Sequence, residues 1–142
     1  MTTETEIIEN KIIETGECFE EVIYNLAVWH AETASKNIVP HPVRWGSAKT
    51  IFDTEIDPDE PSWVEDEGLC GFAWVTIRPA RGEFVKYLKS RGIGHKNYTG
   101  SGWTINTTTH DQSFERNEAW ANSFCATLEE YDIHSTVTTR LD

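Results

Sequence analysis

The run Cys70-Gly71-Phe72-Ala73-Trp74-Val75-Thr76-Ile77 constrains the fold more than any other stretch of this chain. Apolar residues fall at both parities, so an extended segment here has no wet side. That pattern predicts the central strand of a sheet, spanning 70–78 and covered on both faces. Pro79 ends it, because proline cannot donate to a ladder and biases Arg78 towards extended geometry. A short helix follows from Glu83 to about Ser90, with Phe84, Val85, Tyr87 and Leu88 inward and Gly92 at the C′ position. Residues 97–103 fit two short strands around a glycine turn, and Trp103, Ile105 and Thr107 then alternate on one strand face. Thr109 and Gln112 match a capping box that opens a helix to about Tyr131. This helix buries Phe114, Ala121, Phe124, Cys125 and Leu128, with Trp120 flanking the stripe. Ile133 to Leu141 is a last strand, its threonines suited to one solvated face.

The first half is organised differently. Residues 1–6 look like a frayed polar start. Ile7-Ile8 and Ile12-Ile13 fit either one helix face or a short strand. From Glu17 to about Ser35, Phe19, Val22, Ile23, Leu26 and Thr33 recur at helical steps, with Thr15 as N-cap and His30 at the rim of the stripe. Residues 37–67 lack strong periodicity and end in an acidic loop, 53–67. One domain over 1–142 is therefore expected, of α+β class: an α/β sandwich with a small mixed β-sheet and about three helices.

Charge is strongly partitioned. The chain carries a formal net charge of −12. Residues 1–69 hold 16 Asp and Glu against 4 Lys and Arg, whereas residues 70–142 hold 8 against 8, so the excess lies wholly in the first half. Two interaction surfaces follow. Glu17, Glu20 and Glu21 on the first helix, with Asp53, Glu55, Asp57, Asp59 and Glu60 in the loop, form a candidate acidic face for a basic protein partner. Arg78, Arg81, Lys86, Lys89 and Lys96, with Arg91, form the only basic cluster. It is a candidate anion site, or else an internal partner for the acidic loop. The net charge argues against direct nucleic-acid binding.

Catalytic and metal chemistry find little support in the spacing. The five histidines show no ligand pattern, and Pro58 stands where a calcium loop needs glycine. His110, Asp111 and Ser113 are neighbours at a helix start, where capping explains them without a triad. No catalytic residue, metal or cofactor is assigned. Cys18, Cys70 and Cys125 lie in apolar segments without C-x-x-C spacing, which predicts buried free thiols. With no apolar run of membrane length and no secretory leader pattern, the expectation is a soluble, intracellular (cytoplasmic) protein without membrane contact.

Gly71-Phe72-Ala73-Trp74-Val75, Phe84-x-x-Tyr87-Leu88, Gln112-Ser113 and the terminal Thr139-Arg140-Leu141-Asp142 resemble a family of small accessory proteins of tailed bacteriophages. Trp45-Gly46-Ser47-Ala48-Lys49 extends the resemblance to about residues 43–142. It implies action in a bacterial host cytoplasm and supplies no site residues. The expectation is a non-enzymatic protein-interaction module, acting as an acidic inhibitor of a host nucleic-acid-binding protein. The alternatives are a small-molecule or nucleotide binder using the 78–96 cluster, or a virion component, with self-association left open.

Overall fold

The computed structural model describes residues 3–46, 55–109 and 112–142. Among these described residues, four helices and six strands run in the order α1 (Glu4–Thr15), α2 (Phe19–Asn37), β1 (Val43–Gly46), β2 (Ser62–Glu65), β3 (Gly71–Ile77), α3 (Glu83–Ser90), β4 (His95–Lys96), β5 (Trp103–Asn106), α4 (Phe114–Glu130) and β6 (Ser135–Leu141). The expected α+β class holds.

Local chemistry explains most boundaries. The polar start is helical from Glu4, because Thr3 and Glu6 form a reciprocal capping box that satisfies two orphan donors. The expectation of fraying through residue 6 is thereby corrected, and 7–13 is helix. α2 begins two residues later than expected, capped by the backbone of Cys18 rather than by Thr15. α3 and α4 end alike. In α3 Ile93 N–H reaches Leu88 O at 2.9 Å across Gly92, and in α4 Ile133 N–H reaches Leu128 O at 3.1 Å across Asp132. Both are Schellman closures, with Gly92 and Asp132 at positive φ. α4 starts at Phe114 with Ser113 as cap, not in a box built on Thr109, whose hydroxyl donates to Asn117 Oδ1 instead.

The main sheet has the order β4-β5-β3-β6 and is antiparallel throughout. β3 and β4 both oppose β5, so they run parallel to each other with β5 between them. β5 and β6 likewise flank β3. Residues 71–141 are thus two interleaved split β-α-β units, the ferredoxin-like connectivity. Sequence alone had suggested a mixed sheet, since β-α-β order usually implies parallel neighbours. The inserted strand makes every adjacent pair antiparallel here.

Register decides which side chains meet. Ala73, Val75 and Ile77 point to the face that also carries Ile105 and Val137. α4 covers this face, α2 packs on α4, and Phe84, Val85 and Leu88 of α3 close the core. Trp120 lies at the centre and is 0% exposed, stacked on Phe124 at 4.9 Å and donating Nε1–H to Thr108 Oγ1 at 3.1 Å. It is core, not a flank. Asn117, also buried, ties α4 to the sheet by donating Nδ2–H to Gly71 O at 3.0 Å. Gly71 suits this site because a Cβ there would meet Arg140 O at 2.8 Å.

Among the described residues no helix lies on the opposite face. Phe72 is 43% exposed and Trp74 half-buried there, while Thr76 and Thr104 at its centre are buried. The expectation that β3 is covered along its whole length on both sides is therefore corrected: its Phe72 end is open on one face. β1 and β2 form a separate, largely exposed two-stranded ladder in which Trp45 faces Trp63. The cysteines are not buried either. Cys18 and Cys70 are exposed at the ends of their elements, and Cys125 is half-buried against Ser135.

Candidate functional site

The uncovered sheet face is built by register alone. Phe72, Trp74 and Thr76 come from β3, Thr104 and Asn106 from β5, Thr136, Thr138 and Arg140 from β6, and His95 from β4. At its centre Thr76 and Thr104 hydroxyls bond at 3.2 Å, which satisfies two buried polar groups between aromatic neighbours. Arg140 faces Phe72 across the ladder, its guanidinium 5.4 Å from the ring centroid in cation–π geometry. Trp74 is paired with both Thr138 and Asn106. Asn106 Nδ2–H donates to His95 Nε2 at 3.5 Å, and His95 Nδ1–H donates to Lys96 O at 2.9 Å. Tyr98, 84% exposed, stacks on His95 with centroids 4.5 Å apart.

The result is a diagonal strip, Arg140–Phe72–Trp74–Asn106–His95–Tyr98, crossing all four strands. Three strand spacings carry it about 14 Å across the sheet, and the climb from the level of Phe72 to that of Thr76 adds about 13 Å along the strands, a diagonal of roughly 20 Å. A hollow of about 350 Å³ lies at one end, lined by Phe72, Ala73, Trp74, Asn106, Thr107 and Arg140. None of the residues that the register assigns to this face is acidic. The nearest acid in the register is Asp142, just past the end of β6 and bonded through its N–H to Cys70 O.

A larger cleft of about 1020 Å³ lies between the base of the β1–β2 ladder, α2 and the start of α4. Part of its polar wall is internally paired. Arg116 pairs with Glu67, and Thr108 donates to Glu32 Oε1 at 3.1 Å. At its margin His41 Nδ1 meets Glu115 Oε1 at 3.0 Å. These contacts seat the ladder on the helical layer, and they account for the cleft structurally.

The charged residues singled out from sequence are dispersed. Glu17 and Glu21 both approach Arg91, at 3.7 and 3.3 Å, so the acidic helix is partly neutralised by the end of α3. Glu20 is half-buried on α2. Glu55, Asp57, Asp59 and Glu60 lie in the β1–β2 connection, where Asp57 turns back to accept from Asp59 N–H. Asp53 lies outside the described residues. In the basic cluster, Lys86 pairs with Glu83, and Lys89 donates to Ala80 O and lies over the Trp103 ring. Arg81 and Lys96 are exposed. Arg78 is the exception: it belongs beside the open face, donating to Ser101 O and Thr136 Oγ1, both at 3.0 Å. Sequence reading missed Phe72, Trp74, Asn106 and Arg140 as a set. The signal was the alternation of threonine and arginine on the wet side of the last strand.

The tyrosines of the helical layer show how dry that side is. Burial pushes the Tyr24 hydroxyl above its ordinary value, with Tyr87 and Glu32 adding to the effect. Burial and Glu21 do the same for Tyr87, against the opposing field of Arg91. Among the described residues no group of His, Cys, Asp and Glu has the arrangement of a metal site, and no helix is long and apolar enough to cross a membrane. No known family model matches the chain, and no curated protein or solved structure is significantly similar to it.

Proposed function

We propose that this protein is an interaction module, an accessory protein of bacteriophage type, whose working surface is the uncovered face of the β3–β6 sheet. The observation that carries the reading is the strip from Arg140 to Tyr98, which leaves aromatic rings in water on a sheet whose other face carries the core. Exposed aromatics set among polar groups are the signature of a surface that binds something. The resemblance to small tailed-phage proteins covers this part of the chain and supports a bacterial host as the setting. The acidic residues of α1 and α2 support a second reading, in which the helical side meets a basic host protein.

Photo-crosslinking distinguishes the two. The photoreactive phenylalanine analogue p-benzoylphenylalanine is placed at Phe72 in one variant and at Glu20 in another, in bacterial cells making the full chain. Covalent adducts from position 72 and none from position 20 are expected. Adducts from position 20 alone would overturn the open-face reading and transfer the function to the acidic helices.

A further inference from the structure

The open face also indicates the chemistry of its occupant, and this inference rests on the reading just given. We infer that the face holds a single-stranded nucleic acid. Three independent features converge on that class. Phe72 and Trp74 at one end, and the His95–Tyr98 stack at the other, present flat π surfaces on which unpaired bases stack irrespective of sequence. The Asn106 amide sits between them, within reach of a base edge. Arg78 and Arg140 lie at the two ends of β3 and supply charge for phosphates.

Charge complementarity selects this occupant over an acid-poor or neutral one. In a chain with net charge −12, a four-stranded face whose paired strand residues include no carboxylate, with Asp142 at its edge as the nearest acid, is a segregated surface. The expectation of no direct nucleic-acid contact came from the summed charge. The sum misleads because the acids lie outside the strands of this face, on α1 and α2, of which α2 packs on α4, and in the 53–67 segment.

Geometry favours a single strand over a duplex. A duplex hides the faces of its bases, leaving these rings nothing to stack on, and its denser charge meets the repulsion of the whole molecule. The strip, roughly 20 Å from end to end, accommodates about three splayed nucleotides. Arg140 already lies over Phe72, so a base entering there stacks on the ring and displaces the guanidinium towards the phosphate.

The test titrates the full chain into fluorescently labelled oligo-dT, oligo-dA and oligo-rU, and into the dA–dT duplex, by anisotropy at low and physiological salt. Single strands are expected to bind more tightly than duplex, and the DNA and RNA arms show which sugar is preferred. Phe72→Ala weakens binding by roughly tenfold or more, the worth of one stacked base. Arg140→Ala weakens it for all sequences and lowers the slope of log affinity against log salt by about 0.7. Lys11→Ala, on α1, changes neither. A cooperative melting curve for Phe72→Ala, displaced by no more than a few degrees, shows that the fold is intact. Absence of single-strand binding, a preference for duplex, or binding indifferent to both substitutions overturns the inference. If the position-72 crosslink then persists as a protein adduct resistant to nuclease, the open-face reading survives without its nucleic acid. If position 72 gives no adduct, both fall.

Discussion

Val75 and Phe72 stand three residues apart on one strand and live in different solvents. Val75 is 0% exposed, between α4 and the strands beside it, while Phe72 is 43% exposed under an arginine. The two faces of β3 are equally apolar in sequence, and the fold uses them for different ends. The covered face carries aliphatic residues of modest size that pack against Trp120, Phe124 and Leu128. The open face carries the larger aromatic rings, spaced by threonine, asparagine, histidine and arginine. Apolar area left in water gains nothing for stability, at roughly 25 cal/mol per Å² of burial forgone. Its retention on one face of a small domain is the feature on which the binding proposal rests.

The comparison breaks most visibly at the centre of the covered side. Trp120→Ala removes a fully buried indole, its stack on Phe124 and its hydrogen bond to Thr108. A loss of about 3–5 kcal/mol is expected, a large part of the stability of a domain this size. Denaturant unfolding measures it, and a loss below about 1 kcal/mol would mean that the helical layer is not the core. A paired test then sets one face against the other. Val75→Ala should cost about 2 kcal/mol through lost burial and a residual cavity. Phe72→Ala should cost about 1 kcal/mol or less, the scale of its cation–π contact, although it removes the larger side chain. Equal costs would show that the open face is covered in solution and would remove the basis for a binding surface.

Sequence carried the elements further than it carried the site. α3 was legible to the residue, because Phe84, Val85 and Leu88 show one stripe and Gly92 supplies the closure. β3 and β6 were legible as strands from their β-branched and aromatic content. Hidden was the other side of β3: an apolar run specifies that a strand can be buried on both faces, not that anything is available to cover the second. Both sheet-side helices emerge on one side of this connectivity, and that is a property of strand order rather than of composition. The start of α4 was misjudged because Thr109 and Ser113 are both good caps, and the bond from Thr109 to buried Asn117 is a tertiary contact. The strip is least legible of all. Phe72 and Arg140 are adjacent only through the β3–β6 register, with most of the domain between them in the chain. The charged clusters that were legible, Glu17–Glu21 and Lys86–Arg91, are largely engaged with each other or with their own helix.

The smallest expected effect lies on the covered side and needs its sign worked out. Tyr24 and Tyr87 keep their protons beyond the ordinary phenolic value of 10.0, each chiefly because burial disfavours the phenolate. In the unfolded chain both titrate near that ordinary value. As pH rises past about 10 the unfolded state holds fewer protons than the folded one, so stability falls with pH. The contribution is therefore complete below the unfolded value and is lost as pH climbs towards the raised folded values. Melting temperatures on either side of pH 10 measure the decline, with the double variant Tyr24→Phe and Tyr87→Phe as the comparison. Lysine titration contributes equally to both proteins, so the double variant should show the shallower decline. An identical decline would place these hydroxyls in contact with water, and would weaken the contrast between a dry helical side and a wet sheet face on which the binding proposal depends.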